Sequence, residues 1–225
     1  MNQLNWRALG GLLRLLIVLI VLLFLPAWTL DYWQAWAFLA VFFGSSLAIT
    51  LYVMKNDPKL LERRLRVGPR AEKERSQKIN QTVAAIAFAL SLGVPALDHR
   101  FAWSVVPSSV AVTGDFLVAI GFLVVFLVFK ENSFASATIE IAAEQKVVST
   151  GPYSLVRHPM YLGSVILFLG MPVALGSWWG LFVLIPLTLQ LMRRLRDEEA
   201  LLVRSLPGYA EYQMKVKYRL VPMIW

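Results

Sequence analysis

Two runs carry the residue types that chemistry needs. The first is Gly151-Pro152-Tyr153-Ser154-Leu155-Val156-Arg157-His158-Pro159-Met160-Tyr161-Leu162-Gly163, and the second, about thirty residues on, is Arg193-Arg194-Leu195-Arg196-Asp197-Glu198-Glu199. Gly-Pro reads as a turn. Pro159 disfavours the α conformation at His158 and suits the first turn of a following helix, where its missing N–H costs nothing. Arg157, His158 and Tyr161 are thereby gathered around a helix N-terminus, whose free N–H groups and positive dipole end receive a carboxylate or phosphate. In the second run Arg194 and Glu198 lie four apart on one helix face, as do Leu195 and Glu199. A plainer reading exists for each run. Arg anchors to headgroups, Tyr joins the aromatic belt and Pro opens a span, while acids after arginines make a self-neutralising helix end. A lone His is more often structural than catalytic, and the compact grouping is what favours a site.

These runs must be positioned by the rest of the chain, which is 225 residues, 58% hydrophobic and only 16% charged. Soluble domains carry charge on roughly a quarter of their residues. Charge this sparse cannot cover a water-facing surface, which excludes disorder, an ordinary cytosolic enzyme and, with no cysteine, a disulfide-stapled secreted domain. The net charge of +8 does not indicate nucleic acid, because a DNA reader needs a soluble basic face. The chain reads as an all-α integral membrane protein, a bundle of five to six transmembrane helices. A crossing needs about 20 predominantly apolar residues, and six stretches qualify or nearly do: 8–28, 33–54, 83–97, 110–129, 160–175 and 178–192. The third is short and ends at Pro95. The fifth and sixth meet at 176–180 and form either two full spans or a shallow hairpin. Arg7 and Arg14 precede the first apolar core as in a secretory signal, but residues 26–30 offer no small-x-small cleavage site, so a retained helix is expected.

Basic residues choose the cytoplasmic side. Placing the loop 55–81, with nine Lys and Arg, inside and alternating along six spans leaves only Arg100 of the 22 basic residues outside. Both termini and both runs are then cytoplasmic. No internal repeat stands out and the span middles hold almost no ionisable residue, which argues against a secondary transporter or pump. Residues 1–109 read as membrane-anchoring helices with the basic loop, and 110–225 as the region carrying the chemistry. Within it, 132–150 is polar with a brief alternation at 138–141. Pro207-Gly208 breaks a helix and restarts it, and the basic, aromatic end 215–225 suits a membrane surface.

GPYSLVRHPMYLG, followed by RDEEALL and PGYAEYQMKVKYRLVP, resembles the isoprenylcysteine carboxyl methyltransferase family, whose pattern is shared by the related membrane phospholipid methyltransferases. The resemblance covers about residues 130–225; the chain before residue 110 resembles nothing beyond a membrane anchor. It implies an S-adenosylmethionine-dependent methyltransferase with its cofactor at the cytosolic face. The residues implied in cofactor binding are Gln145, Val148, Gly151, Pro152, Tyr153, Arg157, His158, Tyr161, Gly163, Glu198 and Glu199. Arg194, or else Arg193, is implied in substrate positioning. A carboxylate acceptor needs no base at neutral pH, whereas an amine or thiol does, and His158 is the imidazole available for it. No metal is required, and the sequence offers no ligand cluster for one. The acceptor is expected to be lipophilic and of the prenylcysteine carboxylate type, entering from the bilayer through a lateral opening lined by Phe, Leu and Met. A phospholipid amine, or a small lipophilic thiol or acid, is the alternative acceptor. A non-enzymatic scaffold or transporter is the alternative class.

Overall fold

The computed structural model describes residues 3–65, 75–136 and 144–225. The brief alternation at 138–141, and Arg66, Arg70 and Lys73 of the basic loop, lie outside these residues. The apolar runs fold as helices: α1 (Gln3–Ala27), α2 (Trp33–Asn56), α4 (Arg75–Phe101), α5 (Ser108–Glu131) and α6 (Pro159–Ala174), with a short α3 (Pro58–Leu65) between α2 and α4. Helices α7 (Leu184–Ser205) and α8 (Tyr209–Lys215) follow, and two 3-10 turns occupy Gly151–Ser154 and Trp179–Val183. Strands are absent among the described residues.

Four helices, α1, α2, α4 and α5, are long and apolar enough to cross a membrane, and α6 is a shorter apolar helix. Their surfaces confirm the solvent they face. Phe116, Ile120, Leu123 and Leu127 recur every three or four residues on the exposed side of α5, while Ala111, Gly114, Val118, Gly121 and Val128 are buried. An exposed stripe of that composition on an apolar helix of 24 residues suits hydrocarbon. The protein is an integral membrane helical bundle.

Three expectations are corrected. The third stretch does not end at Pro95, because α4 runs through it to Phe101; the proline removes one hydrogen bond, and packing on both sides holds the helix together. The stretch 55–81 is not only loop. Asp57 Oδ1 accepts the N–H of Leu60 at 2.9 Å and Pro58 occupies the first helical position, so α3 starts with a proper cap. The sixth stretch is divided between the 3-10 turn Trp179–Val183 and the first half of α7, whose second half is polar. At 16 residues α6 rises about 24 Å, short of the roughly 30 Å hydrocarbon core.

The core joins Leu19 and Leu23 of α1, Phe38 and Phe42 of α2, Leu92 of α4, Val118 of α5 and Met171 of α6. The tightest pair is α5 with α6, antiparallel along Gly114 and Gly121 on one side and Gly163 and Gly170 on the other. A Cβ on Gly114 would stand 2.2 Å from the backbone N of Ala174, and one on Gly170 would stand 2.8 Å from the Gly114 carbonyl oxygen. Small residues here let two backbones touch.

At the end of the bundle remote from both motifs, Asp98 is buried and accepts hydrogen bonds from the Ser104 N–H at 2.8 Å, the Ser104 hydroxyl and the Ser177 hydroxyl at 2.5 Å. Ser177 Oγ in turn accepts the Gly180 N–H at 3.1 Å. This network ties the end of α4 to the turn from which α7 departs. Asp98→Ala leaves these buried donors unpaired, at about 1–3 kcal/mol for each unsatisfied group. A lowered Tm in detergent is expected, and an unchanged one would show that the network is dispensable.

Candidate active site

The site starts with the conformation at Pro159. His158 precedes α6 with φ −125° and ψ 63°, outside the α region, and Pro159 opens the helix, as the sequence pattern requires. What holds this turn is the C-terminal segment. The N–H groups of Arg157 and His158 donate to the carbonyls of Tyr218 and Arg219, both at 2.9 Å. The guanidinium of Arg157 donates from Nη1 to the Val216 and Lys217 carbonyls at 2.8 Å and from Nε to Glu199 Oε1 at 2.6 Å. Arg219 Nε reaches the other oxygen of Glu199 at 2.7 Å, and His158 Nε2 stands 3.6 Å from Oε1. The end 216–219 therefore does more than lie on a membrane surface: it clasps the motif. Burial would raise the Glu199 carboxyl, but His158, Arg157 and Arg219 outweigh it and hold Glu199 well below the usual carboxylate range.

Glu198 does something different. Consecutive helical residues point about 100° apart, so Glu199 turns toward the clasp while Glu198 accepts a hydrogen bond from the Tyr161 hydroxyl and faces a cavity. The cavity holds about 320 Å³. Arg64, Lys146, Arg157, Arg194, Tyr161 and Glu198 contribute its polar part, and Phe168, Leu187 and Leu191 its apolar part. Two lining residues bury a polar atom that has no hydrogen-bond partner among the described residues, Gln190 Nε2 and Tyr209 Oη, while His158 Nε2 is turned to Glu199 at 3.6 Å. A smaller cavity of about 140 Å³ between α6 and α7 shares Phe168, Leu187 and Leu191 with the first.

Of the residues singled out from sequence, Gln145, Val148, Tyr153, Arg157, His158, Tyr161, Arg194 and Glu198 line the large cavity. Glu199 lies behind it in the clasp. Gly151 and Pro152 form the 3-10 turn beside it, where Gly151 adopts φ +56° against Glu131. Gly163 is buried against α5, where a Cβ would stand 3.0 Å from the Gly121 carbonyl oxygen, and Arg193 is exposed. Sequence reasoning missed Arg64 and Asn80 from the N-terminal half, Gln190 and Tyr209 on the walls, and Arg219 in the clasp. Gln190 had a signal, as a carboxamide within an otherwise apolar stretch. Arg64 had none that set it apart from the other basic residues of its loop.

The tyrosines stay protonated. Burial, with Glu198 and Glu131 nearby, pushes Tyr153 up to about 12 despite the hydrogen bond from Asn132, and burial also raises Tyr209 and Tyr212. Tyr212 Oη donates to the Tyr153 carbonyl at 2.7 Å, fixing α8 onto the turn.

Residues 110–207 match the phospholipid methyltransferase family. The chain is also 32% identical over 91 residues to the Delta(14)-sterol reductase TM7SF2 of Mus musculus, an alignment covering 39% of this chain and 22% of that protein. The chain thus spans about a fifth of that relative's length.

Proposed function

With residues 110–207 matching the phospholipid methyltransferase family, we propose that this chain uses S-adenosylmethionine to methylate a lipophilic acceptor at the cytoplasmic face, the acceptor being a carboxylate of the prenylcysteine type. One observation carries the reading. A charged chamber whose walls hold two buried, unpartnered polar atoms lies beside an apolar cavity between α6 and α7, with which it shares Phe168, Leu187 and Leu191. Buried polar atoms are normally satisfied, so Gln190 Nε2 and Tyr209 Oη are suited to a polar ligand. About 320 Å³ lies within the range of small-molecule sites.

The residues fit the cofactor. Glu198 can accept from its amino group or ribose hydroxyls, and the lining amide and hydroxyl groups can bind its base. Arg157, with Nε and Nη1 committed to Glu199 and the tail, acts as the post that keeps His158 and Tyr161 in place. The bound cofactor supplies a sulfonium methyl: the acceptor oxygen forms the C–O bond as the C–S bond breaks, and the electron pair leaves on sulfur as a neutral thioether. A carboxylate reacts without losing a proton; an amine would pass one to a base, and His158 lines the chamber for that task. With Arg157 already neutralised by Glu199, the walls still carry Arg64, Lys146 and Arg194 against Glu198, a balance that favours an anionic acceptor. Phe168, Leu187 and Leu191 suit its hydrocarbon tail, and α6 and α7 exclude water. The basic residues near the site support a position on the cytoplasmic side. The similarity to a protein named as a sterol reductase supports a second apolar occupant of the cavity, a sterol.

Calorimetry with S-adenosylmethionine on detergent-solubilised protein tests the cofactor. Wild type is expected to bind, with Glu198→Ala and His158→Ala each weakened about tenfold or more, the size of one lost charged or buried hydrogen bond. Absence of binding by wild type would end the proposal. Transfer of labelled methyl to a panel of prenylcysteine, phospholipid and sterol then names the acceptor.

A further inference from the structure

One wall of the chamber is a single face of α7. Leu187, Gln190, Leu191, Arg194 and Glu198 line it, at positions i, i+3, i+4, i+7 and i+11, which share one side of a helix. Leu187 and Leu191 also line the smaller apolar cavity between α6 and α7, and they flank Gln190 on that face. At 1.5 Å per residue, Gln190 stands about 6 Å further along the axis than Arg194 and about 12 Å further than Glu198. Its carboxamide marks the level at which the polar chamber gives way to apolar wall.

The polar groups nearer the cytoplasmic end are engaged, since the Tyr161 hydroxyl meets both Glu198 and Arg194. Gln190 is not. It is 9% exposed, and its Nε2, shielded from solvent, has no hydrogen-bond partner among the described residues. It is also the one carboxamide in the apolar run 181–192. A buried donor in such a run normally bonds across to a neighbouring helix. An apolar residue at this position would pack beside Leu187 and Leu191 without the cost of a dry amide.

We infer that Gln190 is a specificity residue for the acceptor: Nε2 donates to an uncharged carbonyl oxygen where the acceptor's polar head joins its hydrocarbon tail. This deepens the proposal of a lipophilic acceptor and rests on it. Nε2 only donates, so the group opposite must accept. The carboxamide carries no charge, and Leu187 and Leu191 beside it do not replace the hydration that a charged partner would lose. A neutral oxygen meets both conditions. A molecule with only hydrocarbon at this level leaves the donor dry, and a site built to hydrogen-bond discriminates against it. The shared chemistry is a carbonyl at the head of a hydrocarbon tail. It occurs as the ester of a diacyl phospholipid and as the amide of an N-acylated prenylcysteine.

Binding to the full chain in detergent, with S-adenosylhomocysteine present, tests the assignment. One pair of probes is dioleoyl phosphatidylethanolamine against its dialkyl ether. The other is N-acetyl-S-farnesylcysteine against S-farnesylthiopropionic acid, which keeps the carboxylate and lacks the amide. Wild type is expected to favour the carbonyl-bearing member of one pair about tenfold, the size of one buried hydrogen bond. The pair that shows the preference identifies the source of the carbonyl. Gln190→Met keeps the length of the side chain without the donor, so it should erase the preference and hold the carbonyl-free probe as wild type does. Its Tm should stay level or rise, because Nε2 has no partner in the protein to lose; a purely structural glutamine would lower it. If wild type binds no S-adenosylmethionine, the methyltransferase reading fails and the assignment falls with it. If wild type binds the cofactor but favours neither carbonyl probe, or Gln190→Met keeps the preference, the assignment is overturned alone. Weakened S-adenosylmethionine binding by Gln190→Met would also overturn it, by placing the residue at the cofactor.

Discussion

Glu199→Gln is expected to release the C-terminal segment and abolish ligand binding. Glu199 is 5% exposed and holds Arg157 with one oxygen and Arg219 with the other. Removing one member of a buried ion network leaves an uncompensated charge, which costs roughly 3–5 kcal/mol. Here the stranded charge is Arg157, whose partners also include the Val216 and Lys217 carbonyls. Limited trypsin digestion should cut the variant early near Lys217, while wild type resists; equal digestion would contradict the clasp. Glu198→Gln supplies the contrast. It removes a carboxylate from the chamber rather than the clasp, so ligand binding falls while tail protection stays.

The same carboxylate sets a pH dependence. Its folded value lies well below the usual range, whereas in the unfolded chain it titrates near the ordinary value of about 4.3. A depressed carboxylate contributes stability that is full above the unfolded value and lost as pH falls toward the folded one. The Tm difference between wild type and Glu199→Gln should therefore be constant from pH 7 to about 5 and narrow below about 4. A difference that grows on acidification would contradict the assignment.

Gly114→Ala is the second large effect. The added carbon would lie 2.2 Å from the Ala174 nitrogen and 2.6 Å from its Cα, both backbone atoms that cannot rotate aside. Helix α6 would have to move away from α5, and His158 and Tyr161 at its opposite end would move with it. A loss at or above the roughly 3 kcal/mol limit of ordinary overpacking is expected, along with loss of S-adenosylmethionine binding. Gly93→Ala is the control. Its new carbon meets nothing within 4 Å, so it should be neutral or slightly stabilising through helix propensity. A Gly114→Ala protein that melts and binds like wild type would refute the contact between α5 and α6.

Much of this architecture follows from the linear pattern. The lengths of the apolar runs define α1, α2 and α5, since a span is a sum over neighbouring residues. The turn at Arg157-His158-Pro159 follows from proline sterics, which act on adjacent residues alone. Gln145, Val148, Tyr153 and Tyr161 were chosen through a family resemblance, and the fold gathers them on one chamber. The paired acids, by contrast, look alike in sequence. Which one meets the chamber and which the clasp depends on the rotation of α7, set by packing against α4 and α6. Gly163, read as a ligand contact, is spent on the approach of α5. Arg64 is one cation among nine in its loop until Leu60 and Leu61 dock α3 and bring it to the wall of the chamber. Helix period, span length and chain-end charge are short-range properties carried by each segment alone. The site joins residues from α3 to the tail, and its geometry comes from the packing between segments, which no single segment encodes.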